Sequence, residues 1–480
     1  MIERQRDLRV DMNNNAKALK SGFWYLIANF VVKAMALITT PVFTRLLSKE
    51  QFGQYSNWFS WTSIAIIIIT MSMESSLISA KFDFKDKIYQ YDLSLIGLSL
   101  TSTAIWTIIV NIFAPFFSEL LELRVLYMNL ILLYCFFYSV VNIYQISERY
   151  QYRYKKAVFV AVLIAVSTAV ISVLLVINMQ NRLTGRILGM VIPPVIIGIV
   201  LVIWFIKEGK HIDFKVWPYA LKICIPFVPH LLSLTVLNSV DRIMITKICG
   251  ATDTALYSVA YTCGHMVTIL ITSMNNAFSP WLGDKLHDKE FGEIKKVSQY
   301  YIIIFCVLAL GIMLLAPEVL LILGGHSYLE AKYVITPVAM GCVCQFLYTL
   351  FVNVEQYNKK TIGMAFASVS AAVLNYILNA IFIPMYGYLA AAYTTLFGYL
   401  FLLLVHMYLV KKIGYKNTYS YSFIGIVTLI MLIFMILINF LYANTTIRFI
   451  ALGLFLILLG IVFYKEKARC KKILGIIFKR

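Results

Sequence analysis

The sequence lacks the short motifs by which nucleotide-dependent enzymes and pumps are usually recognised. It contains no Gly-x-x-x-x-Gly-Lys-Ser/Thr phosphate loop, and no Asp-x-Asp pair for a metal-bound sugar nucleotide. The loops on the predicted outer side have at most about ten residues each, so a membrane glycosyltransferase or polymerase has no room there for its catalytic groups. These absences predict that the chain is not an enzyme and leave a secondary transporter, a channel or a scaffold.

Cysteine is sparse and has no regular spacing. The eight cysteines lie mostly within apolar stretches, and only Cys342 and Cys344 are close together in the absence of any Cys-x-x-Cys. Disulfide scaffolds and structural metal sites both show recurrent cysteine spacings. The sequence therefore predicts neither of them, and it predicts no resident cofactor.

Apolar residues make up 61% of the 480 residues. They are gathered in about fourteen stretches of roughly 18 to 25 residues, and about 20 such residues are enough for one transmembrane helix. The chain is therefore predicted to be an all-α polytopic membrane protein with about 14 transmembrane helices.

The cations lie mostly on one side of these predicted spans. Of the 42 lysines and arginines, 31 fall in segments that are cytoplasmic if the N-terminus is inside, and 9 fall in the opposite loops and helix ends. Because basic residues accumulate on the cytoplasmic side, both termini are predicted to be cytoplasmic. The net charge of +19 thus reflects topology and requires no nucleic acid; the basic tail at 465–480 also favours anionic lipid.

A repeat divides the chain into two halves. Thr44-Arg45-Leu46-Leu47 followed by Tyr55-Ser56 matches Thr246-Lys247-Ile248-Cys249 followed by Tyr257-Ser258 at an offset of 202, and Gly185 matches Gly387 at the same offset. Tyr154-Lys155-Lys156 matches Asn358-Lys359-Lys360 at an offset of 204. Duplicated bundles are common in secondary transporters. We expect an N-lobe of six helices at 1–215, a C-lobe of six at 216–412, two additional helices with a basic tail at 413–480, and a cavity between the lobes.

Polar side chains form stripes on several of the apolar spans. At 100° per residue, Asn29, Lys33, Thr40 and Thr44 lie on one face of the first span. Lys33 is near the bilayer midplane, where a lysine costs roughly 2.5–3.5 kcal/mol on insertion scales, so it is expected to face the bundle interior. Further stripes are Ser56, Ser60, Ser63, Thr70 and Glu74 on the second span, and Tyr257, Tyr261, His265, Thr268, Thr272 and Asn275 on the eighth.

Four cations at the first helices of the two halves, Lys33, Arg45, Arg242 and Lys247, predict a cavity that is positive toward its outer side. Such a cavity suits an anionic ligand, and the surrounding Tyr, Ser, Thr and Asn side chains suit sugar hydroxyls. In the seventh span, Pro226 and Pro229 are expected to kink or break the helix.

Structural roles compete with each of these assignments. Lys33 could form a buried ion pair with Glu74 or Asp241, and Asp241 with Arg242 could be a structural pair. His265 could be a packing residue, and Arg45 and Lys247 could be interface anchors. Glu74, Asp241 and His265 are also the candidates for coupling transport to a proton or sodium ion, since they are the midmembrane groups that exchange protons most readily; Glu74 is the best placed of the three.

Three segments resemble a known family: 41–56 (PVFTRLLSKEQFGQYS), 238–242 (NSVDR) and 375–392 (NYILNAIFIPMYGYLAAA). The chain resembles the polysaccharide transporters of the multidrug/oligosaccharidyl-lipid/polysaccharide (MOP) flippase superfamily, the Wzx-type flippases of O-antigen and capsule repeat units. The resemblance covers nearly the whole chain.

This resemblance implies a V-shaped bundle in the bacterial cytoplasmic membrane. It implies that the protein moves a polyprenyl-diphosphate-linked oligosaccharide to the outer leaflet by alternating access, beside a polysaccharide polymerase and a chain-length regulator. Lys33, Arg45, Arg242 and Lys247 would bind the diphosphate, and Asn29, Tyr257, Tyr261 and Asn275 the glycan. The alternatives are an ion-coupled exporter of small molecules like the MATE transporters, which share the fold, and a non-transporting scaffold of envelope assembly.

Overall fold

In a computed structural model of the protein, the residues described are 35, 37–84, 87–151 and 153–478. All regular elements in these ranges are helices, and ten are long and apolar enough to cross a membrane, or up to twelve if each of two bent pairs is one span. The predicted all-helical membrane class is confirmed. The total of fourteen and the cytoplasmic termini stay predictions, and most of the first span, including Asn29 and Lys33, lies outside the described residues.

The N-lobe is a bundle built from the first eight helices. A ninth helix also packs on it, through Val216 and Ala220. The helices are α1 (37–46), α2 (Lys49–Thr70), α3 (Leu77–Asp83), α4 (Ile88–Ile112), α5 (Ala114–Leu121), α6 (Val125–Tyr150), α7 (Tyr154–Asn178), α8 (Arg182–Gly209) and α9 (Val216–Cys224).

The C-lobe contains the largest apolar core. Two final helices, α18 and α19, pack on its α13, and α18 also contacts α15. The helices are α10 (Val228–Cys249), α11 (Ala251–His265), α12 (Thr268–His287), α13 (Phe291–Leu314), α14 (Ala316–Gly324), α15 (Lys332–Tyr357), α16 (Thr361–Tyr386), α17 (Tyr388–Lys412), α18 (Tyr421–Leu441) and α19 (Thr445–Phe478).

Local sequence explains where several helices begin and break. Ser48 and Gln51 form a reciprocal capping box at the start of α2. Between α9 and α10 the helix tightens to a 3₁₀ turn at Ile225–Phe227, so the break expected from Pro226 and Pro229 is confirmed. A second break, with a bend of 49°, separates α2 from the 3₁₀ turn Met73–Ser76 and α3.

The helix starts match the predicted repeat at one of three compared positions. Lys49 and Ala251 begin α2 and α11, 202 positions apart. Tyr154 and Thr361 begin α7 and α16, 207 positions apart, so the offset of 204 read from the lysine pairs does not superimpose equivalent helix starts. Gly387 precedes the first residue of α17, whereas Gly185 lies inside α8.

The two lobes meet along α2, which packs against α10 and α11. At the end where α2 begins, Thr44 donates to the carbonyl of Leu323 at 2.6 Å, and Lys49 pairs with Glu330 at 3.1 Å. These contacts close the space between the lobes at that end, which we call the closed end.

Candidate functional site

A cavity of about 240 Å³ lies between the lobes. Its walls come from α1, α2 and α8 of the N-lobe and from α10 and α11 of the C-lobe. They combine aromatic rings, hydroxyls and two arginines. The lining residues are Thr39, Thr40, Phe43, Phe52, Tyr55, Ser56, Phe59, Arg186, Arg242, Ser258 and Thr262.

Arg186 supplies the N-lobe cation of this cavity. Its guanidinium lies 3.8 Å from the ring centre of Phe43 and 4.3 Å from that of Tyr55, and its Nη1 donates to the Ser172 hydroxyl at 2.8 Å. Its Nε is buried with no hydrogen-bond partner among the described residues. Stacking on two rings fixes the plane of the guanidinium.

Arg242 supplies the C-lobe cation. Its guanidinium lies 4.5 Å from the ring centre of Tyr261, and its Nη1 donates to the carbonyl of Asn238 at 2.9 Å. Tyr261 is in turn directed toward the amide oxygen of Asn238, which also accepts the Tyr399 hydroxyl at 2.7 Å. The Arg242 guanidinium therefore stacks on a tyrosine ring whose position is fixed by contacts within the C-lobe.

Neither arginine forms an ion pair with a carboxylate in the parts of the chain that the structure describes. Two guanidiniums at one partly desolvated cavity attract an anion strongly, because the effective dielectric there is lower than in water. Arginine is also the side chain best suited to bind phosphate oxygens in a bidentate manner. The arrangement can therefore hold a phosphate group between the lobes.

Asp241 lies one residue before Arg242 and points away from the cavity into a polar cluster. It is 1% exposed and accepts three hydrogen bonds, from the Tyr257 hydroxyl at 2.6 Å, the Thr395 hydroxyl at 2.6 Å and the Asn379 amide at 2.7 Å. Thr394 donates to the Asn379 oxygen. These oxygens from α10, α11, α16 and α17 are hard ligands of the type that a small cation prefers. In the described residues no group of three or more His, Cys, Asp or Glu side chains could hold a metal ion.

The stripe predicted on the eighth span is divided between α11, which ends at His265, and α12, which begins at Thr268. Its α11 part faces this cluster. Tyr257 and Tyr261 are buried against Asp241 and Asn238, whereas Ser258 and Thr262 line the cavity. One residue is a rotation of 100°, which is enough to separate the two faces. Asn275, on α12, accepts a hydrogen bond from Asn353 at 2.7 Å inside the C-lobe.

The other predicted cations lie near the closed end. Arg45 is exposed and donates to the carbonyls of Pro41 at 2.8 Å and Ile322 at 3.3 Å. The second contact places it at the C-terminus of α14, where a cation is favoured by the helix dipole. Lys247 is exposed in the last turn of α10. Neither side chain lines the cavity between the lobes.

Glu74 lies in the 3₁₀ turn that breaks the second span. Met71 and Ser72 immediately before it have φ of 50° and 49°, a left-handed conformation that is strained for residues other than glycine. The Ser102 hydroxyl donates to the carbonyl of Ile69 at 2.6 Å and so supplies a hydrogen bond to a backbone oxygen near the break. The side chain of Asn142 lies near the Glu74 carboxyl. Strain of this kind is concentrated at moving or binding parts of proteins.

His265 ends α11 at the second bent pair. Its ring stacks on Tyr261 with centroids 5.0 Å apart, and its Nδ1 lies 3.3 Å from the Thr268 hydroxyl. His265 therefore packs against Tyr261, the same ring on which the Arg242 guanidinium stacks.

Sequence reasoning missed Arg186 as a site residue. It was one of the nine cations counted in the opposite loops and helix ends. Because α8 begins at Arg182, Arg186 lies in the second turn of a helix long and apolar enough to cross a membrane. The available signal was a cation placed inside an apolar run, the same signal that singled out Lys33 in the first span.

Two family models match parts of the chain. A family model described as "Polysaccharide biosynthesis protein" matches residues 18–286, and the MatE family model matches residues 226–381. A relative from Haemophilus influenzae, "Lsg locus putative protein 1", is 21% identical over 372 residues, which are 75% of this chain and 89% of the relative.

Solved structures share the fold at low sequence identity. A structure of "Lipid II flippase MurJ, inward closed conformation" has a TM-score of 0.71 at 15% identity. The superposition covers 92% of this chain and 99% of the MurJ chain. An inward-facing multidrug resistance MATE family transporter of the MOP superfamily has a TM-score of 0.64 at 13% identity, with 80% and 95% covered. At these identities the likeness concerns the fold alone.

Proposed function

The chain belongs to the polysaccharide biosynthesis protein family of the MOP flippase superfamily, and on that basis we propose that it flips a polyprenyl-diphosphate-linked oligosaccharide from the cytoplasmic to the outer leaflet of a bacterial inner membrane. The product would feed O-antigen, capsule or exopolysaccharide assembly, with a polymerase and a chain-length regulator as partners. The multi-pass membrane fold and the flippase family support this proposal.

The observation that carries the proposal is the pair Arg186 and Arg242 at one cavity between the lobes. A diphosphate bridged by both guanidiniums would connect the two lobes through the ligand. Lobe movement and ligand binding would then be coupled, as alternating access requires. A volume of about 240 Å³ suits the charged diphosphate, while the polyprenyl tail stays in lipid.

The remaining cations would act at other stages of the cycle. Arg45 and Lys247 lie near the closed end, so opening of that end would expose them to the leaving diphosphate. We retain Lys33 as a further diphosphate ligand and Asn29 as a glycan contact from their places in the sequence. Glycan contacts by Tyr257, Tyr261 and Asn275 remain predictions, since these side chains are engaged inside the C-lobe in this conformation.

We also propose that transport is coupled to a proton or sodium ion through Glu74, Asp241 or His265. The three hydrogen bonds that Asp241 accepts support a role as an anion in this conformation. The strained break beside Glu74 supports a role for that residue at a moving part of the N-lobe.

The decisive experiment is flipping in proteoliposomes that contain a polyprenyl-diphosphate-linked oligosaccharide in the inner leaflet. An impermeant lectin outside the vesicles reports the glycan that arrives. Arg186→Ala and Arg242→Ala should each reduce flipping at least about tenfold, because a hydrogen bond between charged groups contributes about 1.5–3 kcal/mol. Lys207→Ala, an exposed cation on the same helix α8, is the matched control and should be neutral. Unchanged flipping in both arginine variants would exclude the proposed site.

The match to the MatE model over residues 226–381 supports a second candidate, an exporter of small molecules. The two unpaired arginines favour an anionic cargo over a cationic one. Uptake of a cationic dye by inverted vesicles that is abolished by Asp241→Asn, together with no glycan flipping, would favour the exporter.

A further inference from the structure

The C-lobe contains a buried histidine and glutamate that none of the roles above uses. Nδ1 of His406 on α17 lies 2.8 Å from Oε1 of Glu355 on α15, and the two side chains are 2% and 1% exposed. Tyr348 stacks on the His406 ring with centroids 5.5 Å apart. We propose that His406 and Glu355 form a proton-binding site of the C-lobe that couples proton movement to transport.

The charge of the pair explains why it should hold a proton. With one exchangeable proton the pair is neutral overall, whether that proton is on the imidazole or on the carboxyl. Without it, an isolated negative charge is left in a low-dielectric interior, which costs several kcal/mol. Oε2 of Glu355 has no hydrogen-bond partner among the described residues, so the protein offers the deprotonated form little compensation.

A path to solvent begins at His230. This residue lies at the start of α10, just after the proline break, in the neighbourhood of His406. Together with Gln356, which follows Glu355, it lines a cavity of about 380 Å³. Its Nδ1 is buried and has no partner in the described part of the chain. We infer that protons reach the His406–Glu355 pair from the side of this cavity, which His230 and Gln356 line.

The repeat places a second glutamate at the equivalent position of the N-lobe. Glu148 and Glu355 each lie two residues before the end of a 26-residue helix, α6 and α15. Oε2 of each has no hydrogen-bond partner among the residues that the structure describes. Glu148 lies 3.7 Å from Arg153 and has a tyrosine, Tyr89, at 3.3 Å. A fixed cation is therefore the partner in the N-lobe, whereas a titratable one is the partner in the C-lobe.

Other ionisable groups also lie at this end of the C-lobe. They include the nearby ring of Tyr348 and the hydroxyl of Tyr421, which donates to the carbonyl of Met407 at 3.3 Å. Exposed charges occur only toward the ends of the packed elements. At the same end, exposed or partly exposed charged and titratable groups include Asp284, Lys285 and His287 on α12, Asp288, Lys289 and Glu290 between α12 and α13, Glu293, Lys295 and Lys296 on α13, Lys359 and Lys360 before α16, and Lys411 and Lys412 on α17.

The site can be tested without any transport. In purified protein with ¹⁵N-labelled histidine rings, the His406 signal is identified by its loss in His406→Gln. On acidification the wild-type ring should take up a proton, because a carboxylate in contact favours the charged imidazole. In Glu355→Gln this uptake should be lost, and in the matched control Glu148→Gln it should occur as in the wild type. A ring that does not titrate, or that titrates equally in Glu355→Gln, would overturn the site.

The coupling rests on the proposed function and needs the flipping assay. An imposed proton gradient should accelerate wild-type flipping, and this acceleration should be lost in His406→Gln and Glu355→Gln while exchange without a gradient is retained. His287→Gln, which changes an exposed histidine, is the control. Gradient-dependent flipping that persists in both variants would overturn the coupling. Absence of any wild-type flipping would instead refute the proposed function, and the histidine titration would still decide whether the site exists.

Discussion

Gly53 of α2 lies against the backbone of Ala251, the first residue of α11, and this contact joins the two lobes. A Cβ placed on Gly53 would come within 1.7 Å of the Ala251 carbonyl oxygen. No side chain can be accommodated at that distance without movement of the backbone. The lobes therefore approach this closely because residue 53 is glycine.

Gly53→Ala should open the closed end. Overpacking costs typically about 1–3 kcal/mol, so the closed population should fall at least about fivefold. Cysteines at Lys49 and Glu330, whose native side chains pair at 3.1 Å, would report closure by the rate of disulfide formation in a background without other cysteines. Gly283→Ala, where a Cβ meets nothing within 4 Å, should leave that rate unchanged. Equal rates in the two variants would show that the contact does not limit closure.

The predicted topology can be tested by thiol labelling of intact cells. Single cysteines at Lys155, Lys289 and Lys411 should resist an impermeant reagent, whereas cysteines at Ser118, Asn181 and Asn444 should react. The expectation follows from the excess of cations on the cytoplasmic side. Reactivity at Lys155 or Lys411 would mean that the helix count is wrong.

Lys33 is expected to need a positive charge rather than a particular shape. Lys33→Arg should largely keep surface polysaccharide, while Lys33→Ala and Lys33→Glu should lose it at an unchanged amount of membrane protein. A diphosphate accepts either cation, although their geometries differ. Restoration of function by the double swap Lys33→Glu with Glu74→Lys would instead indicate an ion pair between the two residues.

Glu74 and Asp241 can be compared as coupling groups. Glu74→Gln should abolish flipping driven by an ion gradient and leave substrate binding intact, if Glu74 carries the coupling ion. Asp241→Asn should do the same if the C-lobe cluster binds it, and it should also remove any rise in melting temperature that sodium produces in detergent. If one of the two variants transports as the wild type does, its residue does not carry the coupling ion. If both do, neither residue carries it.

The pair Glu318–Arg448 predicts a pH-dependent contribution to stability. Arg448 on α19 donates through both terminal nitrogens to the Glu318 carboxylate at 2.5 Å, and these hydrogen bonds lower the pKa of Glu318 from its usual value. The stabilisation is therefore fully present above the pKa of the unfolded chain and is lost as pH falls through the lower pKa of the folded protein.

Glu318→Gln should accordingly lower the melting temperature in detergent at pH 7, with a cost of roughly 1 kcal/mol because the carboxylate is partly solvated. The difference from the wild type should disappear in acid. If the difference in melting temperature does not depend on pH, the substitution removes a packing contact rather than a charge interaction.

Particular residues show how far the sequence could predict this protein. The apolar runs, the excess of cations on one side and the proline break at 225–227 depend on local composition, and local composition is readable from one chain. The polar stripe on α11 could also be predicted from the sequence, because its period is that of a helix. The element that the stripe faces could not be predicted, because the rotation of a helix about its axis is set by the helices packed against it.

The sequence by itself determined the all-helical membrane class and the family, because hydropathy and motifs are properties of short segments. Only the tertiary structure decided the partners of the buried charges. Asp241 binds Asn379 and Thr395, which are 138 and 154 positions away, and His406 meets Glu355 from 51 positions away. Arg186 became a cavity residue because α8 begins four residues before it and packs beside α7 and α2. These contacts arise from the packing of whole helices, in which the cost of burying each polar group selects the neighbour that satisfies it.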